Sequence, residues 1–252
     1  MQNVDLHFAF CILHFAFCIL MKQKLNPPST GLVLEIGSGD NPNPRSNVLV
    51  DRFLGADNRE RGGDLVVDRP FVVADAHHLP FKDGAFAYAI CSHILEHMDE
   101  PAQFAAELQR TCAAGYIQSP SEIAERLFHW SFHRWYVNLV GDTLVLHPKE
   151  PEEPFGELFD YLYEYNPAYY LFQRSMPDMF WVEREWHGDD LKVEVWNHSP
   201  LLLNDPVALR AMAAPRRSAF GLVGLFFTAL AARTLRSDAR KALRRFFGKS
   251  YV

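Results

Sequence analysis

Short apolar runs that each end in an acid or another polar group recur through the first half of the chain. They are LVLEI (Leu32–Ile36), NVLVD (Asn47–Asp51), FVVAD (Phe71–Asp75) and FAYAICSH (Phe86–His93). Runs of this length without polar alternation predict strands covered on both faces, as in a parallel sheet. Asp99, Glu100 and Pro101 then make a helix start, and Phe104, Ala105, Leu108 and Cys112 follow at helical spacing. This periodicity makes Cys112 a core residue. GYIQSP (Gly115–Pro120) predicts a fifth strand. Strands alternating with helices predict an α/β fold, a doubly wound and mostly parallel sheet.

The first run leads into Gly37-Ser38-Gly39. Two glycines one residue apart let the backbone bend sharply and approach a ligand without Cβ interference. In an open α/β sheet, ligand groups gather at the carboxyl ends of the strands, and this rule predicts Glu35, Asp51 and Asp75 along one sheet edge. The connection Ser38–Ser46 holds two prolines and predicts no helix, although a parallel crossover normally contains one.

LEIGSG, the acid Asp51, the segment DAHHLPFKDGAFAYAICSHILEH (Asp75–His97) and GYIQSPS together resemble a class I S-adenosylmethionine-dependent methyltransferase of the type 11 kind. The resemblance covers about residues 32–121. It implies a Rossmann-like sheet closed by an antiparallel hairpin, with S-adenosylmethionine as cofactor. It also implies that Gly37 and Gly39 pass under the methionine part, Asp51 binds the ribose hydroxyls, and Asp75 with Ala76 lies by the adenine. Glu35, Ser38 and Ser92 complete the candidate cofactor set. The chain departs from the pattern in the short Ser38–Ser46 connection and in Asn41, which stands where a third glycine is common. Glu96 and His97 resemble a structural pair of the family and are assigned no chemistry.

Methyl transfer from a sulfonium needs alignment, desolvation and, for a protonated acceptor, a base. Candidate bases are His93 and His133, with Tyr116 behind them. Beyond Ser121 two aromatic groups follow, Phe128–Tyr136 and Phe159–Phe172. They suit either core packing or a substrate lid spanning residues 121–176, inserted after the fifth strand. Asp178–Trp186 and Leu191–Asn197 bracket His187-Gly188-Asp189-Asp190 and predict the closing hairpin.

The two ends stand apart from a methyltransferase domain over residues 21–200. Residues 6–12 and 13–19 are a perfect tandem copy, LHFAFCI, ahead of Met21. Residues 1–20 are therefore expected to be an extension that adds nothing to function. Residues 201–252 form an apolar and basic tail. Its uncharged stretch Ser218–Ala232 is below spanning length, and seven cations follow with Asp238 as the sole acid. Leu235, Ala239, Leu243 and Phe246 share one helical face, a pattern suited to an anionic membrane surface or to docking on an acidic body.

With 252 residues and 48% apolar content the chain can bury one substantial core. A net charge of −6 argues against nucleic acid as a partner. Four cysteines form neither a disulfide framework nor a metal-ligand spacing, so no metal is expected and a reducing, cytoplasmic setting is. The reading is methyl transfer to a small-molecule acceptor, with a lipid-linked acceptor and a peripheral position on the inner membrane face if the tail binds there. Two alternatives are a catalytically silent membrane-associated relative and a nicotinamide-dependent dehydrogenase. Pro42 counts against the dehydrogenase, because it stands where the last glycine of G-x-G-x-x-G would be.

Overall fold

The computed structural model describes residues 25–53, 64–150, 155 and 157–214. The tandem repeat, most of the 52–70 connection and the basic tail lie outside the described residues. Contacts divide the chain into two compact units, one running to Glu164 and resuming over Asp178–Leu201, the other made of Tyr165–Pro177 and the chain from Leu202.

In the first unit the strands are β1 (Val33–Ile36), β2 (Val48–Asp51), β3 (Phe71–Val73), β4 (Tyr88–Ser92) and β5 (Ala114–Pro120), then β6 (Trp135–Val140), β7 (Thr143–Pro148), β8 (Trp181–His187) and β9 (Lys192–Val195). A six-stranded sheet has the order β3-β2-β1-β4-β5-β8, and β8 alone runs antiparallel. Every residue of β1 and β5 is buried, as expected of strands covered on both faces. On one side lies a large core that includes Leu34, Ile36, Val50, Ala89, Phe104 and Leu108. A smaller core of Val33, Tyr88, Ile90, Ala114 and Tyr116 covers the other.

Helix α1 (Pro101–Thr111) starts with Pro101 in its first turn, where a missing N–H costs nothing. It buries Phe104, Ala105 and Leu108, and Cys112 caps it inside the core, 2% exposed. Gly115 on β5 is dictated by its neighbour: an added Cβ would lie 2.8 Å from the Trp186 indole and 2.9 Å from Ala89 O. Trp186 is fully buried there.

The expected closing hairpin is corrected. The turn at His187–Asp190 forms, with the Asp190 carboxylate accepting from His187 N at 2.8 Å. The strands it joins enter different sheets: β8 pairs with β5, and β9 pairs in parallel with β7 in a second sheet of order β6-β7-β9. Turn residues announce a reversal, whereas pairing partners are chosen by burial elsewhere.

After β5 the chain forms α2 (Glu122–Phe128), with Ser121 Oγ accepting from Ala124 N, and then the β6–β7 hairpin and α3 (Leu158–Tyr165). Phe128, Trp130, Tyr136 and Tyr163 are buried, while Phe132 and Tyr161 are exposed. The first unit also contains most of the short helix α5 (Pro177–Phe180). In the second unit, α4 (Pro167–Ser175) is capped by the Asn166 side chain and α6 (Pro206–Ala213) by that of Asp205. Among the described residues no helix is long and apolar enough to cross a membrane.

Candidate functional site

The parallel register aligns Ile36 with Val50 and Cys91, Asp51 with Val73, and Ser92 with Gln118. The carboxyl ends of β1 to β5 therefore form one edge that carries Gly37, Asp51, Asp75, Ser92 and His93.

Gly37 and Gly39 both hold left-handed backbone, with φ of 69° and 55°. A Cβ on Gly37 would lie 1.9 Å from Ile94 Cδ1, so the turn packs directly against the segment after β4. Over Gly39 the space is open: an added Cβ meets nothing within 4 Å. Between them Ser38 is buried, and its Oγ has no hydrogen-bond partner. A buried hydroxyl left unpartnered costs free energy unless something supplies the bond. The turn thus offers an unsatisfied polar atom beside open space, which fits a bound polar ligand.

Glu35 is turned elsewhere. Its carboxylate accepts from Asn43 N at 2.8 Å and Ser46 Oγ at 2.5 Å. Burial raises its pKa, and those two bonds oppose the rise. Residues 38–46 contain no helix, as their prolines predict, and Glu35 anchors this short connection together with Arg69, whose Nη1 donates to Asn43 O at 2.9 Å and Ser46 O at 2.8 Å.

Asp51 ends β2, with Oδ1 accepting from Phe53 N at 3.0 Å. Asp75 follows β3 and accepts from His77 N at 2.9 Å, which holds its carboxyl below the usual range. The His77 ring adds a 2.6 Å contact to the same oxygen, and its Nε2 accepts from Glu100 N at 3.2 Å. Asp75 is thereby fixed through His77 to the start of α1. Arg52 Nη2 stands 3.8 Å from Asp75 Oδ2. Ala76 is buried beside it.

His93 is one of two non-glycine residues with positive φ among the described residues, at 58°. Its N–H donates to Gln118 O at 2.8 Å, and its ring meets Trp181 edge-on with centroids 5.0 Å apart. Glu96 lies on the 3-10 turn Leu95–His97 and is fully buried. Its Oε2 accepts from Ser119 Oγ at 2.9 Å, and its Oε1 faces His93 Nδ1 at 3.4 Å and His133 Nε2 at 3.9 Å. Burial pushes the Glu96 pKa up, yet the surrounding histidines outweigh it and hold it at about 2. Burial pushes His97 down to about 4. Both candidate bases therefore converge on one carboxylate that had been assigned no chemistry. His93 lies just ahead of that turn, three residues before Glu96, and its left-handed backbone precedes the bend that carries Glu96. Tyr116 instead points into the smaller core and donates to Glu183 Oε1 at 2.7 Å.

Residues 48–116 match the family model described as a methyltransferase domain. The match begins at β2, so the glycine turn lies ahead of it. No curated protein matches the chain. Among solved structures the cyclase SpnF is 20% identical, over 44% of this chain and 45% of that one, with a TM-score of 0.31. An S-adenosylmethionine-dependent methyltransferase from Thermotoga maritima is 22% identical, over 48% and 55%, at 0.29. A protein from Pyrococcus horikoshii OT3 is 16% identical, over 75% and 92%, at 0.36. The chain spans about half the length of the first two. The match to a methyltransferase domain thus falls on the strands whose carboxyl ends carry Asp51, Asp75 and His93, and it supports a class I S-adenosylmethionine-dependent methyltransferase domain there, with S-adenosylmethionine as cofactor.

Proposed function

We propose that this protein transfers a methyl group from S-adenosylmethionine to a small-molecule acceptor. The observation that carries the reading is the buried, unpartnered Ser38 Oγ in an open glycine turn, on the same sheet edge as the Asp51 and Asp75 carboxylates. Bound S-adenosylmethionine supplies an electrophilic methyl on a sulfonium leaving group. Gly37, Ser38 and Gly39 would hold its methionine part, and Asp51 would accept from the ribose hydroxyls. Asp75 and Ala76 would line the adenine, with Ser92 at the β4 end.

His93 is the proposed base. The Glu96 carboxylate steadies its ring and favours the imidazolium that proton removal from the acceptor creates. His133 is the second candidate, but it is buried and engaged by Glu125 at 2.6 Å, so it serves better as a positioning residue. Within the first unit, the aromatic residues that follow β5, such as Phe128, Trp130 and Phe132, are proposed to serve the acceptor side. In the finer reading the acceptor is lipid-linked, and residues 218–252 carry the enzyme to the inner face of an anionic membrane from the cytoplasm; the basic amphipathic pattern of that tail supports it.

Calorimetry with S-adenosylmethionine, S-adenosylhomocysteine and NAD tests the core of the reading. Binding of either adenosyl ligand is expected; binding of NAD alone would overturn it.

A further inference from the structure

Beside the glycine edge lies a second set of donor atoms. Glu96, His97 and His133 each offer one ligand atom, and the three atoms lie within 4.8 Å of one another. The two histidine rings meet edge-on, with centroids 4.7 Å apart.

Two independent features point to a ligand there. Glu96 Oε1 belongs to a fully buried carboxylate and has no partner of good hydrogen-bond geometry, its nearest nitrogens being His93 Nδ1 at 3.4 Å and His133 Nε2 at 3.9 Å. His133 is oriented from behind: its Nδ1 lies 2.6 Å from Glu125 Oε2, and Glu125 is buried and paired in turn with Lys149. A carboxylate behind Nδ1 takes the N–H of the ring and leaves Nε2 as a lone pair. This is the outer-shell arrangement that metal-bound histidines use. The lone pair then faces Glu96 Oε1 across 3.9 Å, acceptor against acceptor in a buried site. A proton on Nε2 does not close that gap, because N–H···O bonds end near about 3.2 Å. A metal does: two bonds of about 2.1 Å reach from roughly 3.4 Å at the tetrahedral angle to about 4.2 Å in line. The widest pair needs to close by roughly an ångström.

We propose that Glu96, His97 and His133 form a binding site for a divalent transition metal of the zinc type, with Glu125 orienting His133. Two imidazoles and a carboxylate suit zinc and leave a coordination position open. His97 is the least enclosed of the three, and the exposed ring of Phe132 stacks on it at 5.8 Å, so an ion would enter from that side. The site shares Glu96 with the proposed base His93, but its test reads metal and not methylation, so the two readings can fail separately.

The full chain, stripped with chelator and dialysed, is titrated with Zn2+ by calorimetry and with Co2+ by visible absorption. One ion per chain is expected, with Co2+ bands of low coordination symmetry. His133→Ala and His97→Gln should each weaken Zn2+ binding by at least about tenfold, and Glu125→Gln by about 10- to 100-fold. His97 is only half-buried, so His97→Gln is the variant expected to keep its melting temperature and remain interpretable if His133→Ala misfolds. Absence of stoichiometric binding by the folded wild type overturns the proposal. So does Zn2+ affinity unchanged in His97→Gln, which would place the ion on other ligands.

Discussion

Glu96 Oε1 lies 3.4 Å from His93 Nδ1 and 3.9 Å from His133 Nε2, so one buried carboxylate links the end of β4 to the segment that follows α2. The residue that joins them is fully buried, and its other oxygen is held by Ser119 on β5. Chemistry proposed for either histidine therefore passes through the charge on Glu96.

Asp51→Ala should weaken S-adenosylmethionine binding by about ten- to a hundredfold. Losing a carboxylate that accepts from two hydroxyls costs about 1.5–3 kcal/mol. Asp51 ends a strand and is only partly buried, so the melting temperature should hold. Calorimetry that returned wild-type affinity would remove Asp51 from the site.

Gly37→Ala should destabilise the fold itself. Left-handed backbone costs a non-glycine residue roughly 1–2 kcal/mol, and the new Cβ would overlap Ile94. A loss above about 2 kcal/mol corresponds to a fall of at least about 4 °C in Tm. Adding Ile94→Ala should relieve the overlap and leave the backbone cost, so the double variant should be less impaired than the sum of the singles. Strict additivity would show that the two residues do not touch.

Glu122 predicts a loss of stability in acid. Its carboxylate accepts from Asn138, His147, Ser199 and Arg126. Burial opposes ionisation, but those bonds hold its pKa at about 2. A depressed folded value contributes stability above the unfolded value near 4.5 and loses it as pH falls towards 2. In Glu122→Gln the unfolding free energy should vary less with pH across that window. Equal slopes in both proteins would contradict the assignment.

Asp160 predicts the opposite slope. Burial, with Glu157 adding to it, pushes its pKa up to about 7, and its Oδ1 is buried without a partner. A raised carboxyl value makes folding favour the neutral acid, so stability is fully present below about 3.8 and falls as pH rises to 7. The stabilisation by Asp160→Asn should grow between pH 4 and pH 7 and then level off. Thermal melts showing a pH-independent gain would rule this out.

Residues 218–252 should bind anionic vesicles without spanning them. Each cation near such a surface adds about 1 kcal/mol within a Debye length, so salt should weaken the association. Equal flotation with neutral and anionic liposomes, or none with either, would end the idea.

Much of the fold is legible in local pattern. The runs at Val33, Val48 and Tyr88 become parallel strands because a strand buried on both faces must be apolar throughout, and that requirement is visible one segment at a time; the run at Phe71 instead becomes the edge strand β3, with Val73 exposed. Asp99 and Glu100 lead into α1 and Pro101 opens it, and the Phe104, Ala105 and Leu108 face is buried, because helix starts and helical periodicity are also local. The prolines of residues 38–46 exclude a helix for the same reason.

Tertiary structure decided what depends on partners distant in the chain. Glu35 looks like a ligand residue beside Gly37, yet Ser46 and Asn43 draw it into the connection. The strands flanking His187–Asp190 look like a hairpin, yet β5 and β7 claim one each. Glu96 and His97 carry no metal spacing with His133 in sequence, and only the packing of the segment after α2 against the 3-10 turn brings them within reach. Periodicity records which face of an element is buried, whereas the partner that buries it is selected by contacts no short window contains.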